Sequence, residues 1–76
     1  MSTAQPPFRR IAADITEQIK SGELAPGAKL PSTREIAGSY NVSMGTAYRA
    51  LSLLHERDLI IGHPGRGTFV ADHSGE

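Results

Sequence analysis

Residues 31–57, PSTREIAGSYNVSMGTAYRALSLLHER, decide the fold. They contain two helix starts in quick succession. Ser32 is followed three residues later by Glu35, an S-x-x-E capping box in which a hydroxyl and a carboxylate satisfy free backbone N–H groups at a helix start. Pro31 disfavours extension upstream, and Ile36, Ala37 and Tyr40 follow at one-face spacing. Asn41 supplies a stop, because Asn tolerates the left-handed conformation that ends helices. Ser43 then caps a second helix carrying Ala47, Ala50, Leu51 and Leu54 along one side. Two short helices joined by a turn of three or four residues form a helix-turn-helix.

Upstream, Phe8, Ile11, Ala12, Ile15 and Ile19 recur at helical steps, with Arg9, Arg10, Asp14, Glu17, Gln18 and Lys20 on the other side. The stripe reads as core packing, and Gly22 ends the helix. Residues 1–7 read as a frayed leader in which Pro6 and Pro7 block helix. Pro26-Gly27 signals a turn, and Lys29-Leu30 is placed as a very short strand.

Downstream, the second helix is expected to fade near Arg57-Asp58. Leu59, Ile60 and Ile61 read as a strand, residues 63–67 as a turn, and Thr68, Phe69 and Val70 as the return strand. A hairpin directly after a helix-turn-helix is a wing. The expected fold is therefore mainly α with a small β-hairpin: a winged helix-turn-helix of three helices plus wing over residues 8–71, followed by a linker over 72–76.

With 76 residues the chain holds one small domain. It has no cysteine, which excludes disulfides and thiolate metal sites. His55, His63 and His73 match no compact zinc spacing and read as surface residues, so neither metal nor cofactor is expected. Neither a transmembrane-length apolar run nor a signal-peptide layout is present, so a soluble cytoplasmic protein without membrane contact is expected. No catalytic constellation stands out, and the tip glycines lack the G-x-x-x-x-G-K-[ST] phosphate-loop pattern.

Eight basic and eight acidic residues give zero net charge, which argues against nucleic acid on composition alone. Distribution matters more: acids gather in the first helix region and the tail, whereas Arg34, Arg49 and Arg66 fall in three segments of the helix-turn-helix and wing. In nucleic-acid-binding versions of this motif the second helix enters the major groove. Arg49 is suited to donate two hydrogen bonds to guanine, and its alternative is an ordinary solvated Arg. Arg34 sits in the first turn of a helix, where the backbone dipole disfavours a cation, and this hints at a job for it; its alternative is a salt bridge with a nearby carboxylate.

The pieces in order resemble the N-terminal DNA-binding domain of GntR-family bacterial transcription regulators. The residues that carry the resemblance are IKSGELAPGAKLPS (19–32), REIA (34–37), YNVS (40–43), TAYRALSLL (46–54) and PGRGTFV (64–70). The last of these leans towards the HutC- or YtrA-like branches. The resemblance implies sequence-specific binding of double-stranded DNA, with helix 43–57 in the major groove and the tip 63–67 at the minor groove. The implied regulator is a repressor. The expected DNA-contacting residues are Ser32, Arg34, Ser43, Met44, Gly45, Thr46, Tyr48, Arg49, Gly65, Arg66, Gly67 and Thr68. The family pairs this domain with a C-terminal domain that binds a small-molecule effector and makes the dimer. Its operators are palindromic, so the full-length protein is expected to be a homodimer and this fragment mostly monomeric. One departure stands out: after Val-Ser the family very often carries an Arg that reads guanine, and here the residue is Met44. The alternative of another class is a winged helix that binds a protein partner; only Met44 and Tyr48 offer large apolar anchors for it.

Overall fold

The computed structural model describes residues 6–72. Three helices, α1 (Pro7–Ser21), α2 (Thr33–Tyr40) and α3 (Met44–Glu56), precede two strands, β1 (Ile60–His63) and β2 (Gly67–Val70). The strands form an antiparallel hairpin in which Ile60 faces Val70 and His63 faces Gly67. This is the winged helix-turn-helix expected from the sequence.

Each helix boundary has a chemical cause. Pro7 is the first residue of α1 and Pro6 is its cap, so Pro7 does not block the helix as the sequence reading held. At the first helical position the missing N–H is no loss and the fixed φ suits the helix. The rest of the expected leader, residues 1–5, lies outside the described residues. Gly22 ends α1 at φ 90°. The capping box on α2 is complete: Glu35 N–H donates to Ser32 Oγ at 3.1 Å, and Ser32 N–H donates to Glu35 Oε1 at 2.8 Å.

The ends of α2 and α3 use one device twice. Asn41 (φ 57°) and Asp58 (φ 59°) both take the left-handed conformation. The next residue then bonds back into the helix: Val42 N–H to Ala37 C=O and Leu59 N–H to Leu54 C=O, both at 3.0 Å. That bond closes a Schellman-type end and turns an apolar side chain inward. Val42 and Leu59 both pack against the core. The helix fades at Arg57-Asp58 as expected from the sequence, but the left-handed turn at Asp58 delays the strand, which begins at Ile60 and leaves Leu59 outside.

The core gathers Ile11, Ala12 and Ile15 of α1, Leu30 of the segment before α2, Ile36 and Ala37 of α2, Ala47, Ala50, Leu51 and Leu54 of α3, and Ile60 and Val70 of the hairpin. Ala12, Ala47 and Ala50 are completely buried, and small residues there let helix backbones approach closely. The segment before α2 adds a third edge to the hairpin: Lys29 bridges Phe69, and Leu30 N–H donates to Thr68 C=O at 2.8 Å. The short strand expected at Lys29-Leu30 is thus a single bridge, and it ties the wing to the start of the helix-turn-helix.

A side-chain strut joins α1 to α2. Tyr40 Oη donates to Asp14 Oδ2 at 3.1 Å. Burial raises the Tyr40 phenol above its ordinary value; the Asp14 hydrogen bond and the Asp14 charge raise it further, against a small opposing effect of Arg10. A phenol held protonated stabilises the fold below its unfolded pKa of about 10, and the contribution disappears as pH climbs through the raised folded value. Tyr40→Phe is expected to lower stability at neutral pH by about 0.5 kcal/mol, the low end for a hydrogen bond because the pair is partly solvated. Thermal melts of both proteins at rising pH should show the wild-type advantage shrinking once pH passes the ordinary phenol value of about 10. An advantage that persists unchanged across that range would show that the strut contributes nothing.

Candidate nucleic-acid interface

The surface of interest is the part of α3 that the core does not use. Ser43 caps the helix: its Oγ accepts from Thr46 N–H at 3.1 Å and donates to Thr46 Oγ1 at 3.1 Å. Thr46 is half-buried, so both hydroxyls are engaged in starting the helix. From there the buried stripe Ala47, Ala50, Leu51 and Leu54 faces inward. At about 100° per residue, Gly45 and Ser52 fall opposite that stripe, flanked by Tyr48 on one side and Arg49 on the other. Met44 and Tyr48 are 50% and 66% exposed, an unusual amount for large apolar side chains.

Arg49 is exposed but not unconstrained. Its Cζ lies 4.4 Å from the centroid of the Phe8 ring, which reaches it from the start of α1. Arg34 is exposed in the first turn of α2, beside the Ser32 cap. Ser32 itself is exposed, with its hydroxyl occupied by Glu35 N–H.

The wing tip is a tight turn. Arg66 N–H donates to His63 C=O at 2.9 Å. Pro64 occupies the second turn position, and Gly65, at φ 79°, the third. Proline followed by a residue of positive φ is the pattern of a type II turn. Arg66 thus projects from the last turn position, exposed, immediately before Gly67 at φ 126°. Thr68 is half-buried on the core side of the ladder, opposite Gly62.

Two residues that the sequence reading left aside belong to this surface. Lys29 runs beside the wing: a Cβ placed on Gly67 would meet Lys29 Cε at 2.8 Å and Nζ at 3.5 Å. An ammonium group therefore lies close to the tip that carries Arg66. Phe8, read as core only, supports Arg49. No sequence signal pairs Lys29 with Gly67 or Phe8 with Arg49, because both contacts are made across the fold.

His55 and His63 are exposed, and the His63 ring meets Phe69 edge-on at 5.2 Å. His73 lies outside the described residues. Among the described residues no group of three or more His, Asp or Glu side chains gathers to hold a metal, and no helix is long and apolar enough to cross a membrane.

The sequence pattern described as "Bacterial regulatory proteins, gntR family" matches residues 7–70, nearly all of what has just been described. The chain belongs to this family. It is 42% identical over 66 residues to the HTH-type transcriptional repressor NagR of Bacillus subtilis, covering 87% of this chain and 27% of that protein. It is 38% identical over 68 residues to the mannosyl-D-glycerate transport/metabolism system repressor MngR of Escherichia coli, covering 90% of this chain and 28% of MngR. The chain thus spans little more than a quarter of the length of these relatives. Among solved structures, the DNA-binding domain of AraR in complex with operator ORR3 superposes with a TM-score of 0.88 at 28% identity, covering 93% of this chain and 86% of that one.

The wing geometry has a testable consequence. Gly67 holds a φ that an L side chain adopts only with strain, and any Cβ there must also displace Lys29. The lysine end is flexible, so the backbone strain is the larger cost. Gly67→Ala is expected to destabilise the domain by about 1–2 kcal/mol and to speed amide exchange in β1 and β2. Unaltered chemical denaturation would show that the tip relaxes without cost.

Proposed function

We propose that this domain binds double-stranded operator DNA sequence-specifically as the reading head of a bacterial transcription repressor. In this reading α3 lies in the major groove and the wing tip lies at the minor groove. The observation that carries the reading is the likeness to the AraR domain solved with operator DNA, at a TM-score of 0.88 over 93% of the chain. The free outer side of α3 and the three exposed arginines on α2, α3 and the wing agree with it.

The proposed roles follow from what each side chain has free. Arg34 and Arg66 contact phosphates, as cations at a helix start and at the end of the wing turn. Arg49 offers a planar fork suited to guanine. Met44 and Tyr48 bring apolar surface to the groove, where a thymine methyl is the natural partner. Gly45, lacking a side chain, lets the helix tip approach closely, and Gly65 and Gly67 do the same for the wing. Ser32, Ser43, Thr46 and Thr68 have their side chains engaged or half-buried, so their contribution is mainly to hold the backbone N–H groups and strands that meet the DNA. The protein works in the cytoplasm, as one half of a homodimer on a palindromic site. Dimerisation and effector binding fall to a separate domain joined through residues 72–76, and this domain alone is mostly monomeric.

Binding to a selected duplex should weaken steeply with salt, log K falling by about 0.9 per log unit of salt for each phosphate engaged. Arg34→Ala should weaken all sequences alike and reduce that slope by about 1. Salt titrations by fluorescence anisotropy measure both, and an affinity that is flat between low and moderate salt would rule out groove docking.

Met44 tests the readout itself. On the groove reading, Met44→Arg raises general affinity and shifts preference towards guanine at one position per half-site, with discrimination of about 1–3 kcal/mol. A complete set of single-base variants of the site reports the change. If neither affinity nor preference moves, Met44 does not face the groove.

A further inference from the structure

Phe8 stands in the first turn of α1, half-buried at the edge of the core. Two guanidinium groups lie over its ring: Arg49 Cζ is 4.4 Å from the centroid and Arg9 Cζ is 5.8 Å from it. Both distances are within the range in which a cation is attracted by the ring quadrupole. Arg9 is Phe8's neighbour in sequence. Arg49 comes from the outer side of α3, and only the packing of α1 on α3 brings it there.

We propose that Phe8 is a positioning residue for base readout: its ring holds the Arg49 guanidinium in place, so that the side chain meets the groove already ordered. The inference rests on the reading of Arg49 as a groove residue. Three features of the contact support it. An aromatic face has no lone pair, so it attracts the guanidinium without serving as an acceptor for its five N–H donors. A carboxylate in the same place would occupy the fork that guanine needs. Arg is also a flexible side chain, and ordering it at the moment of binding opposes association; a contact made beforehand removes part of that cost. Finally, the ring is itself held. Pro7 starts α1 one residue earlier, and Ile11, Ala12 and Ile15 anchor the same helix in the core.

The test compares the wild-type chain with Phe8→Leu, Phe8→Tyr, Arg49→Ala and the Phe8→Leu/Arg49→Ala pair. Each is measured on a duplex selected from random sequence and on all its single-base variants, with a thermal melt as control. Phe8→Leu is expected to lower affinity about two- to fivefold, the range for an exposed cation–π contact. It should flatten preference at the same base pair that Arg49→Ala flattens. Phe8→Tyr should retain both properties, and in the Arg49→Ala background Phe8→Leu should change base preference no further. A merely structural role would move the melting temperature and leave the pattern of base preference intact. If Phe8→Leu fails to fold, pentafluorophenylalanine at position 8 keeps the ring shape and reverses its quadrupole, and the same flattening is expected. Should Arg49→Ala flatten the preference while the ring variants do not, positioning by Phe8 is overturned and the reading of Arg49 stands. Should Arg49→Ala itself leave affinity and preference unchanged, the reading of Arg49 falls and the inference falls with it.

Discussion

Everything in this domain depends on one helix being used on two sides. The inward side of α3, Ala47, Ala50, Leu51 and Leu54, is the surface on which α1, α2 and β1 all pack. α3 has four buried residues against three in α1 and two in α2, and apolar burial is the dominant favourable term in folding. Because α3 is clamped from several directions, its outward side needs no packing partner of its own. Met44, Tyr48 and Arg49 are left facing outward on a helix whose position is fixed by the core.

The alanines on that stripe have a second consequence. Ala47 and Ala50 of α3 and Ala12 of α1 are all completely buried where these helices pack together, and larger side chains there would hold the helices apart. The close approach brings the start of α1 beside the outer flank of α3, and the Phe8–Arg49 contact exists because of it. Core packing and the chemistry of the surface are thus linked through helix spacing.

The wing is held to this frame by hydrogen bonds as well as by apolar contact. β2 pairs with β1 on one side and with residues 27–30 on the other, through Gly27 N–H to Val70 C=O at 3.0 Å and Val70 N–H to Ala28 C=O at 2.8 Å. A two-stranded hairpin alone is marginal in water. The extra edge, with Ile60 and Val70 buried beneath it, fixes where the tip stands. A neutral chain therefore presents its cations on defined elements: Arg34 on α2, Arg49 on α3, and Arg66 with Lys29 at the wing. Charge placed on particular elements creates a local field that net charge does not describe.

The sequence alone determined the elements. Ser32 with Glu35, Ser43, Asn41 and Gly22 mark helix ends by local hydrogen bonding and backbone freedom, which depend on near neighbours only, and each is found where it was read. Pro64-Gly65 fixed the hairpin tip for the same reason, and the order of the motifs carried the family. Pro7 was misread because proline has two meanings at a helix start, and the flanking residues do not tell them apart. The helix end at Arg57-Asp58 was legible, but not the left-handed turn at Asp58 or the strand start it delays, because that turn is tied to Leu59 packing against the core. What only the tertiary structure decided are the contacts between elements. Phe8 under Arg49, Lys29 along Gly67 and Tyr40 on Asp14 each join residues far apart in the chain, and their geometry follows from helix spacing and sheet register. No local pattern encodes those distances, since they are set by how the whole core closes.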